Sequence, residues 1–401
     1  MDFLDVLSNL IDFIKNPNNA IYLYLTFVLS ITFYHILLYF LKDRKAIKKS
    51  RLYVDPIKPQ IEQLETNPLV NIIVPAWKEG ELFKGCLECL RDLTYSNLKI
   101  IVIAGGNEKT LSVAESFKKY ENFLILRQLE GGGKLKAFND ALKYVSEGLI
   151  FFIDADVYLD NLVFIKMLYK LINENQEIVV TLLKPHKSQL ESDLVRHIYI
   201  NRSARNKFRY LKYLNRFTPC SSVKYSVIKS IKKFPEKELL GDGIVMARAV
   251  FEKGQKIFRI KELVESFNFP DNIPDYFNQN VRWIENNMYN LYKNKKIKLI
   301  NKFFYLLASI YLLIYPFLII IDLRLFFFGI LLYFAFYISK IRNYVYFIKI
   351  EEKSVFKNTQ FKFFIKTLFY IYLDVIINIY TIFELIFYSK NYKKRKNIVL
   401  N

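Results

Sequence analysis

Three aspartates, a lysine and a polar triplet carry the chemistry open to this sequence. Asp154 and Asp156 stand one residue apart in FFIDADVYLD. Their carboxylates are hard oxygen ligands that suit Mg2+ or Mn2+, and such an ion in turn grips phosphate oxygens. Lys134 follows Gly131, Gly132 and Gly133 at a helix start, where bare backbone N–H groups and an ammonium suit a pyrophosphate. The GxxxxGK[ST] spacing of a P-loop is absent. Asp242 lies between Gly241 and Gly243, so backbone can approach a ligand there and the carboxylate stays unobstructed. Its plainer role is to cap the helix that comes next. On a helix, Gln279, Arg282 and Trp283 share one face, an amide, a guanidinium and an indole suited to a sugar and a phosphate. The plainer reading there is an exposed arginine over a packed tryptophan. A lone Asp-x-Asp is common in surface turns, so each motif needs the support of the others.

The elements that must position these groups are readable from periodicity. Leu149–Ile153 is a short apolar run, the pattern of a strand buried on both faces, and it ends on Asp154. Asn71–Pro75, Leu98–Ala104 and Phe123–Arg127 read as further strands, alternating with helices at Glu81–Leu93, Thr110–Tyr120 and Gly133 to about Val145. That alternation predicts an α/β fold with a mostly parallel, doubly wound sheet, whose site lies at the carboxyl ends of the strands. Pro75 closes the first strand, Glu79 faces the crevice beyond it, and Gly105 ends the second, which makes all three candidates for donor contact. A helix over Asn161–Asn173, a strand over Glu177–Leu183, a second strand-like stretch over Ile257–Glu265 and a helix over Gln279–Tyr292 come after these. Ser188–Tyr213, with Arg196, His197, Arg202, Arg205 and Arg209, reads as a solvated or membrane-facing helix in preference to a substrate contact. Cys86 and Cys89 form a CxxC without a second pair or a nearby histidine, so plain packing is expected rather than zinc. Three cysteines suit a reducing compartment.

The chain has 401 residues, a formal net charge of +21 and 52% hydrophobic residues. That combination resolves if apolar membrane spans are flanked by basic segments. A nucleic-acid binder would not gather its positive charge at the edges of apolar runs, and no nucleic-acid partner is expected. Residues 1–52 read as an amphipathic segment over Met1–Lys15 and a signal anchor over Ala20–Leu41, long enough to cross a bilayer core of about 30 Å. Lys42, Arg44, Lys45, Lys48, Lys49 and Arg51 then put the chain beyond Leu41 on the cytoplasmic side. Residues 53–300 form the expected cytoplasmic catalytic domain. Residues 301–401 hold a hairpin, Phe303–Ile321 and Leu325–Ser339 around Asp322-Leu323-Arg324, then basic Lys340–Lys362, apolar Phe363–Tyr388 and a basic tail. The last apolar stretch either crosses or lies along the interface, and its length favours a crossing.

VPAWKE, GGGKLKAFNDAL, FFIDADVYLD, GDG and QNVRW, in this order and at these intervals, resemble the inverting family 2 glycosyltransferases. More narrowly they are similar to the membrane-bound branch of ceramide-glucosyltransferase-like and polysaccharide-synthase-like enzymes. The resemblance covers roughly residues 71–292. It implies a GT-A fold, a nucleotide-diphospho-sugar donor and a divalent cofactor, Mg2+ or Mn2+. It implies Asp154 and Asp156 as the metal- and diphosphate-binding pair, Asp242 as the catalytic base, and Lys134, Gln279, Arg282 and Trp283 on the donor. Ala104-Gly105-Gly106-Asn107 stand where the family usually places aspartates, and Gly241 stands where it has a glutamate. The expected activity is transfer, with inversion, to a lipid-type acceptor by a multi-pass protein of the plasma membrane. A processive polysaccharide synthase acting on a glycan, and a catalytically silent membrane scaffold, are the alternatives.

Overall fold

A computed structural model describes residues 59–130, 132–205, 213–236, 241–294, 306–350 and 360–387, with part of the segment 16–48. The amphipathic segment at 1–15, part of the apolar stretch 20–41 and the basic tail lie outside the described residues. Two compact units are present. One comprises Val54–Val195, Leu211–Tyr276 and Tyr388–Asn401; the other comprises Met1–Tyr53, Arg196–Tyr210 and Phe277–Phe387.

The first unit holds one sheet. In chain order it comprises β1 (Val70–Trp77), α1 (Glu81–Arg91), β2 (Leu98–Gly105), α2 (Glu108–Glu115), β3 (Phe123–Arg127), α3 (Gly133–Leu142), β4 (Leu149–Ile153) and β5 (Val157–Tyr158). Then come α4 (Asn161–Ile172), β6 (Ile178–Pro185), the start of α5 (Asp193–Arg205), β7 (Tyr213–Leu214), β8 (Cys220–Lys224), α6 (Tyr225–Ile231), α7 (Asp242–Phe251) and β9 (Ile257–Ser266). The strand order is β3-β2-β1-β4-β8-β6-β9-β5, with β7 on β9. The first four strands are parallel, as the alternation predicts. Beyond β4 the sheet is mixed, because β8 enters antiparallel to both β4 and β6 while β9 runs parallel to β6. The sequence pattern does not reveal β8, since Cys220, Ser221 and Ser222 take its first three buried positions and Val223 alone is a branched apolar residue there. The Ser222 hydroxyl donates to the Val179 carbonyl at 3.0 Å, which is how a polar side chain is tolerated in the sheet's centre.

β1, β2 and β4 are buried on both faces, and removing each Ile or Phe side chain from water contributes on the order of 1.5–3 kcal/mol. Pro75 does not close its strand, contrary to the expectation from sequence; β1 runs on to Trp77. β1 pairs with β4 only over Val70–Ile73, so one side of the strand is free at Pro75, where a residue lacking an N–H costs little. In α1, Phe83, Cys86, Leu87 and Leu90 form the buried face, so Cys86 is core and Cys89 lies beside it half-buried.

The helix α5 overturns the solvated reading of its segment. Leu194, Val195, Ile198 and Ile200 are buried on it, and so are His197, Asn201 and Ser203. Apolar and polar residues alternate all round, which hides the burial from a periodicity argument. The second unit continues through α8 (Ile273–Asn294) from Phe277 onward, α9 (Leu306–Ile320), α10 (Leu323–Ile350) and α11 (Gln360–Phe387). Leu323–Phe347 and Ile365–Glu384 are long and apolar enough to cross a membrane; Leu306–Ile320 is a shorter apolar helix. The break at Asp322 is fixed by its carboxylate, which accepts from the Arg324 N–H at 2.8 Å and from its guanidinium at 2.6 Å. α10 continues through Lys340, where the charge pattern suggests the start of a basic connection. The charges there are paired: Lys340 with Asp374 at 2.6 Å and Arg342 with Asp43 at 2.8 Å.

The entry to β4 is a tight turn. Gly148 has φ +84° and a Cβ there would stand 2.0 Å from the Leu69 carbonyl oxygen. Gly148→Ala is therefore expected to destabilise the sheet by about 1–3 kcal/mol, read as a melting temperature several degrees lower. An unchanged melting temperature would show that the turn relaxes without strain.

Candidate functional site

β4 carries Asp154 to the carboxyl edge, and Lys134 reaches it from the first turn of α3. The two form an ion pair, with side chains 23% and 30% exposed respectively. Burial pulls the Lys134 ammonium down, but Asp154, then Asp242 and Asp156, outweigh it and hold its pKa above the ordinary lysine value. The Asp242 charge thus acts on the same ammonium that holds the Asp-x-Asp. Glu79 feels this cluster too: burial and Asp154 raise its carboxyl, with Lys134 opposing. Asp156 is pushed up to about 7, by burial first and then by Asp154, with Lys134 opposing and Glu79 adding to the rise. Its Oδ1 is buried without a hydrogen-bond partner.

Backbone ties fix this arrangement. The Asp154 N–H donates to the Pro219 carbonyl at 2.9 Å, and the Phe217 N–H donates to the Gly243 carbonyl at 2.9 Å. Residues 217–219 therefore bridge the end of β4 and the start of α7. A Cβ at Gly243 would lie 2.4 Å from the Phe217 carbonyl oxygen, so only glycine permits this approach. Gly241 occupies the N-cap of α7 and Asp242 its first turn, so the expected plain role of Asp242 as the cap is not the one it takes. The Val157 N–H closes a turn onto the Asp154 carbonyl at 3.1 Å, and the Phe267 N–H holds the Asp156 carbonyl at 3.0 Å.

The other sequence candidates divide. Glu79 joins the cluster through its charge; Pro75 sits inside β1, two residues before its end. Gly105 is close-packed, a Cβ there lying 2.7 Å from the Gln128 carbonyl oxygen and 2.9 Å from the Trp77 ring. Asn107 caps α2, its side chain accepting from the Thr110 N–H at 2.8 Å. Gln279, Arg282 and Trp283 belong to the second unit, on α8. Gln279 and Trp283 are half-buried and both meet Arg202 of α5, whereas Arg282 is exposed. The stacked cation is thus Arg202, which the sequence shows only as one of several basic residues in a polar stretch.

Among the described residues no three His, Cys, Asp or Glu side chains surround one point. Two carboxylates suffice for Mg2+ or Mn2+, which dehydrate reluctantly and take the rest of their shell from water and substrate phosphates. The unpartnered Asp156 oxygen beside Asp154 fits such an ion.

Residues 71–232 match the family described as Glycosyl transferase family 2. Among curated proteins, glycosyltransferase AglE of Haloferax volcanii is 30% identical over 95 residues, 23% of this chain and 31% of that protein. Poly-beta-1,6-N-acetyl-D-glucosamine synthase of Staphylococcus epidermidis is 26% identical over 124 residues, 31% and 28% of the two chains. The chain thus spans a third or less of either relative. Among solved structures, a Pyrobaculum calidifontis mannosyltransferase in complex with GDP-Man and Mn2+ superposes with a TM-score of 0.52 at 13% identity, over 90% of this chain and 98% of that one. At that identity the likeness is one of fold, and the mixed sheet described above resembles the GT-A fold.

The raised Asp156 carboxyl implies a pH dependence of the metal-free protein. A carboxyl whose folded pKa lies above its unfolded value holds its proton longer when folded, so stability falls as pH rises from about 4 to 7. In excess EDTA the melting temperature should fall across that window, and in Asp156→Asn it should fall less. Equal slopes for both proteins would remove Asp156 as the source.

Proposed function

We propose that the family 2 glycosyltransferase domain at residues 71–232 serves a membrane enzyme that moves a sugar from a nucleotide-diphospho-sugar to a lipid-type acceptor with inversion. The observation that supports it most is the Lys134–Asp154 pair with the Asp242 charge acting on the same ammonium. Asp242, in the first turn of α7 and not used as a cap, takes the proton of the acceptor hydroxyl while that oxygen attacks the anomeric carbon. The bond from that carbon to the diphosphate oxygen breaks, and the nucleotide diphosphate leaves. Configuration inverts because the acceptor oxygen displaces it directly, with no carboxylate acting as nucleophile. Lys134 is held charged by its acidic neighbours, so on donor binding it exchanges Asp154 for a diphosphate oxygen. A divalent cation held by Asp156 and Asp154, Mg2+ or Mn2+, would supply further charge to the leaving diphosphate. Gln279, Arg282 and Trp283 enter this reading as donor-binding residues on the strength of their motif.

The same motif favours a second reading, a processive synthase that extends a glycan. Product size separates the two: one sugar per acceptor against a polymer. The silent scaffold has less support, because the Asp-x-Asp, Lys134 and Asp242 are assembled rather than scattered.

The chemistry is testable at its base. Asp242→Asn should leave donor binding nearly intact while turnover falls by roughly 10²–10⁴, the range of a positioned proton acceptor. Near-normal turnover in a folded variant would move the base elsewhere. Asp156→Asn should instead weaken donor binding itself, measured by titration with nucleotide diphosphate and Mn2+.

For topology we propose a plasma-membrane protein with its catalytic domain in the cytoplasm and α11 crossing. Asp374, the charge nearest the middle of that helix, is met by Lys340 at 2.6 Å and lies 3.9 Å from His197, so it need not face lipid. A reporter that folds only in the cytoplasm, attached after Asn401, should be inactive. An active reporter would place α11 along the inner interface.

A further inference from the structure

Within the first unit, the chain leaves α6 towards Asp242 through a sharp turn. Lys232 has φ +70° and ψ −57°, and the Lys233 N–H donates to the Ile231 carbonyl at 2.9 Å. This is a γ-turn of the rare hand, strained for a residue with a side chain, and it persists only where the surroundings hold it. The hold comes two residues on. The Phe234 N–H donates to Asn139 Oδ1 at 2.9 Å, and Asn139 Nδ2 donates to the Phe234 carbonyl at 2.9 Å. The same Nδ2 donates to Glu236 Oε1 at 2.9 Å. One carboxamide thus satisfies both main-chain groups of Phe234, as a neighbouring strand would, and its second N–H takes a side chain further along.

The Phe234 ring completes the anchor. It is fully buried and packs edge-on against Phe152 of β4, with centroids 5.8 Å apart. Phe152 also meets Phe138, the neighbour of Asn139 on α3, at 4.7 Å and Phe217 at 6.4 Å. Phe217 is the residue whose N–H holds the Gly243 carbonyl. A single ring, two residues before Asp154, therefore supports the chain before Asp242 and the segment tied to it afterwards. The helix that carries Lys134 in its first turn carries Asn139 in its second.

We infer that Asn139 is a positioning residue for Asp242, holding residues 234–236 so that the chain brings Asp242 to the charges around Lys134. This rests on the reading of Asp242 as the base. Asn139 acts through the main chain, and Lys134 keeps its pairing with Asp154 without it. Its loss therefore falls on turnover and spares donor binding.

The test uses membranes carrying the full-length protein. Release of nucleotide diphosphate is measured from UDP-N-acetylglucosamine, UDP-glucose and GDP-mannose. Asn139→Asp keeps the size and the acceptor for the Phe234 N–H, but it turns a carboxylate oxygen towards the Phe234 carbonyl and Glu236. Its kcat should fall about tenfold with donor KM within about twofold, the pattern of an interaction that matters only in the transition state. Adding Glu236→Gln, which offers that carboxylate an N–H, should recover part of the loss. In an Asp242→Asn background, Asn139→Asp should cost less than about twofold more, because the group it places is already gone. An unchanged kcat in folded Asn139→Asp, a donor KM raised as much as kcat falls, no recovery with Glu236→Gln, or the full loss repeated in the Asp242→Asn background would each overturn the inference. If Asn139→Asp does not fold, Asn139→Ser takes its place in the kcat, KM and Asp242→Asn comparisons under the same criteria. Failure of the two readings is distinguishable. Near-normal turnover in Asp242→Asn defeats the base and the inference together, whereas a crippled Asp242→Asn beside an unaffected Asn139→Asp defeats the inference alone.

Discussion

Negative charge gathered at the end of a buried strand is the constraint on which the rest of this molecule depends. Asp154 and Asp156 leave β4 where the sheet has already excluded water, and Glu79 and Asp242 add to the same field. One ammonium, Lys134, acts against four carboxylates. Burial disfavours the charged form of Glu79 and Asp156, and the Asp154 charge compounds it. The outcome falls unevenly: Asp154 takes the lysine, while Asp156 is left with an unpartnered oxygen and a carboxyl pushed up to about 7. A site so arranged favours a ligand set that brings positive charge near Asp156 and negative charge near Lys134. A divalent ion with a diphosphate brings both.

That imbalance can persist only if the backbone does not yield to it. The ties from Asp154 to Pro219 and from Phe217 to Gly243 are main-chain hydrogen bonds, and they join a strand end to a helix start through three residues. Gly243 is required for the close approach, which explains one of the two glycines around Asp242 without reference to any ligand. Gly241 supplies the N-cap position. Asp242, the proposed base, is therefore placed by main-chain ties on either side of it. Groups preorganised in this way need not reorganise when charge moves during a reaction.

Much of this was legible in the sequence because the parallel half of the sheet is written in unbroken apolar runs. β2, β3 and β4 fall where periodicity puts them, and Asp154, Asp156 and Lys134 are placed by the ends of those elements. The elements that the sequence concealed were hidden for physical reasons. β8 is a central strand that buries Cys220, Ser221 and Ser222 ahead of Val223, and the two serine hydroxyls find backbone or side-chain partners instead of alternating with apolar residues. β1 passes Pro75 because its neighbour β4 ends early on that side, a fact of register and not of composition. The burial of α5 is invisible to periodicity, since the partners of His197 and Arg202 are nearly 150 and 80 residues away in sequence.

The second unit answers a different version of the same charge problem. In a helix pair with such uniformly apolar surfaces, leucine against leucine does not single out one register, so buried polar side chains decide which faces meet. Lys340 pairs with Asp374, and the Tyr344 hydroxyl meets both the Thr367 hydroxyl at 2.9 Å and the His197 ring at 2.9 Å. Asn201 links His197 at 3.0 Å to Lys340 at 3.4 Å, which closes the network across α5, α10 and α11. Tyr344, Thr367 and His197 are fully buried, so any one left without its partner would carry the desolvation cost of an unmet polar group. A register shift of α10 against α11 by one turn would strand several at once. The network therefore sets the register of these helices more firmly than their apolar surfaces could, and it holds the residues 196–203 of α5, Arg202 among them, against the same scaffold.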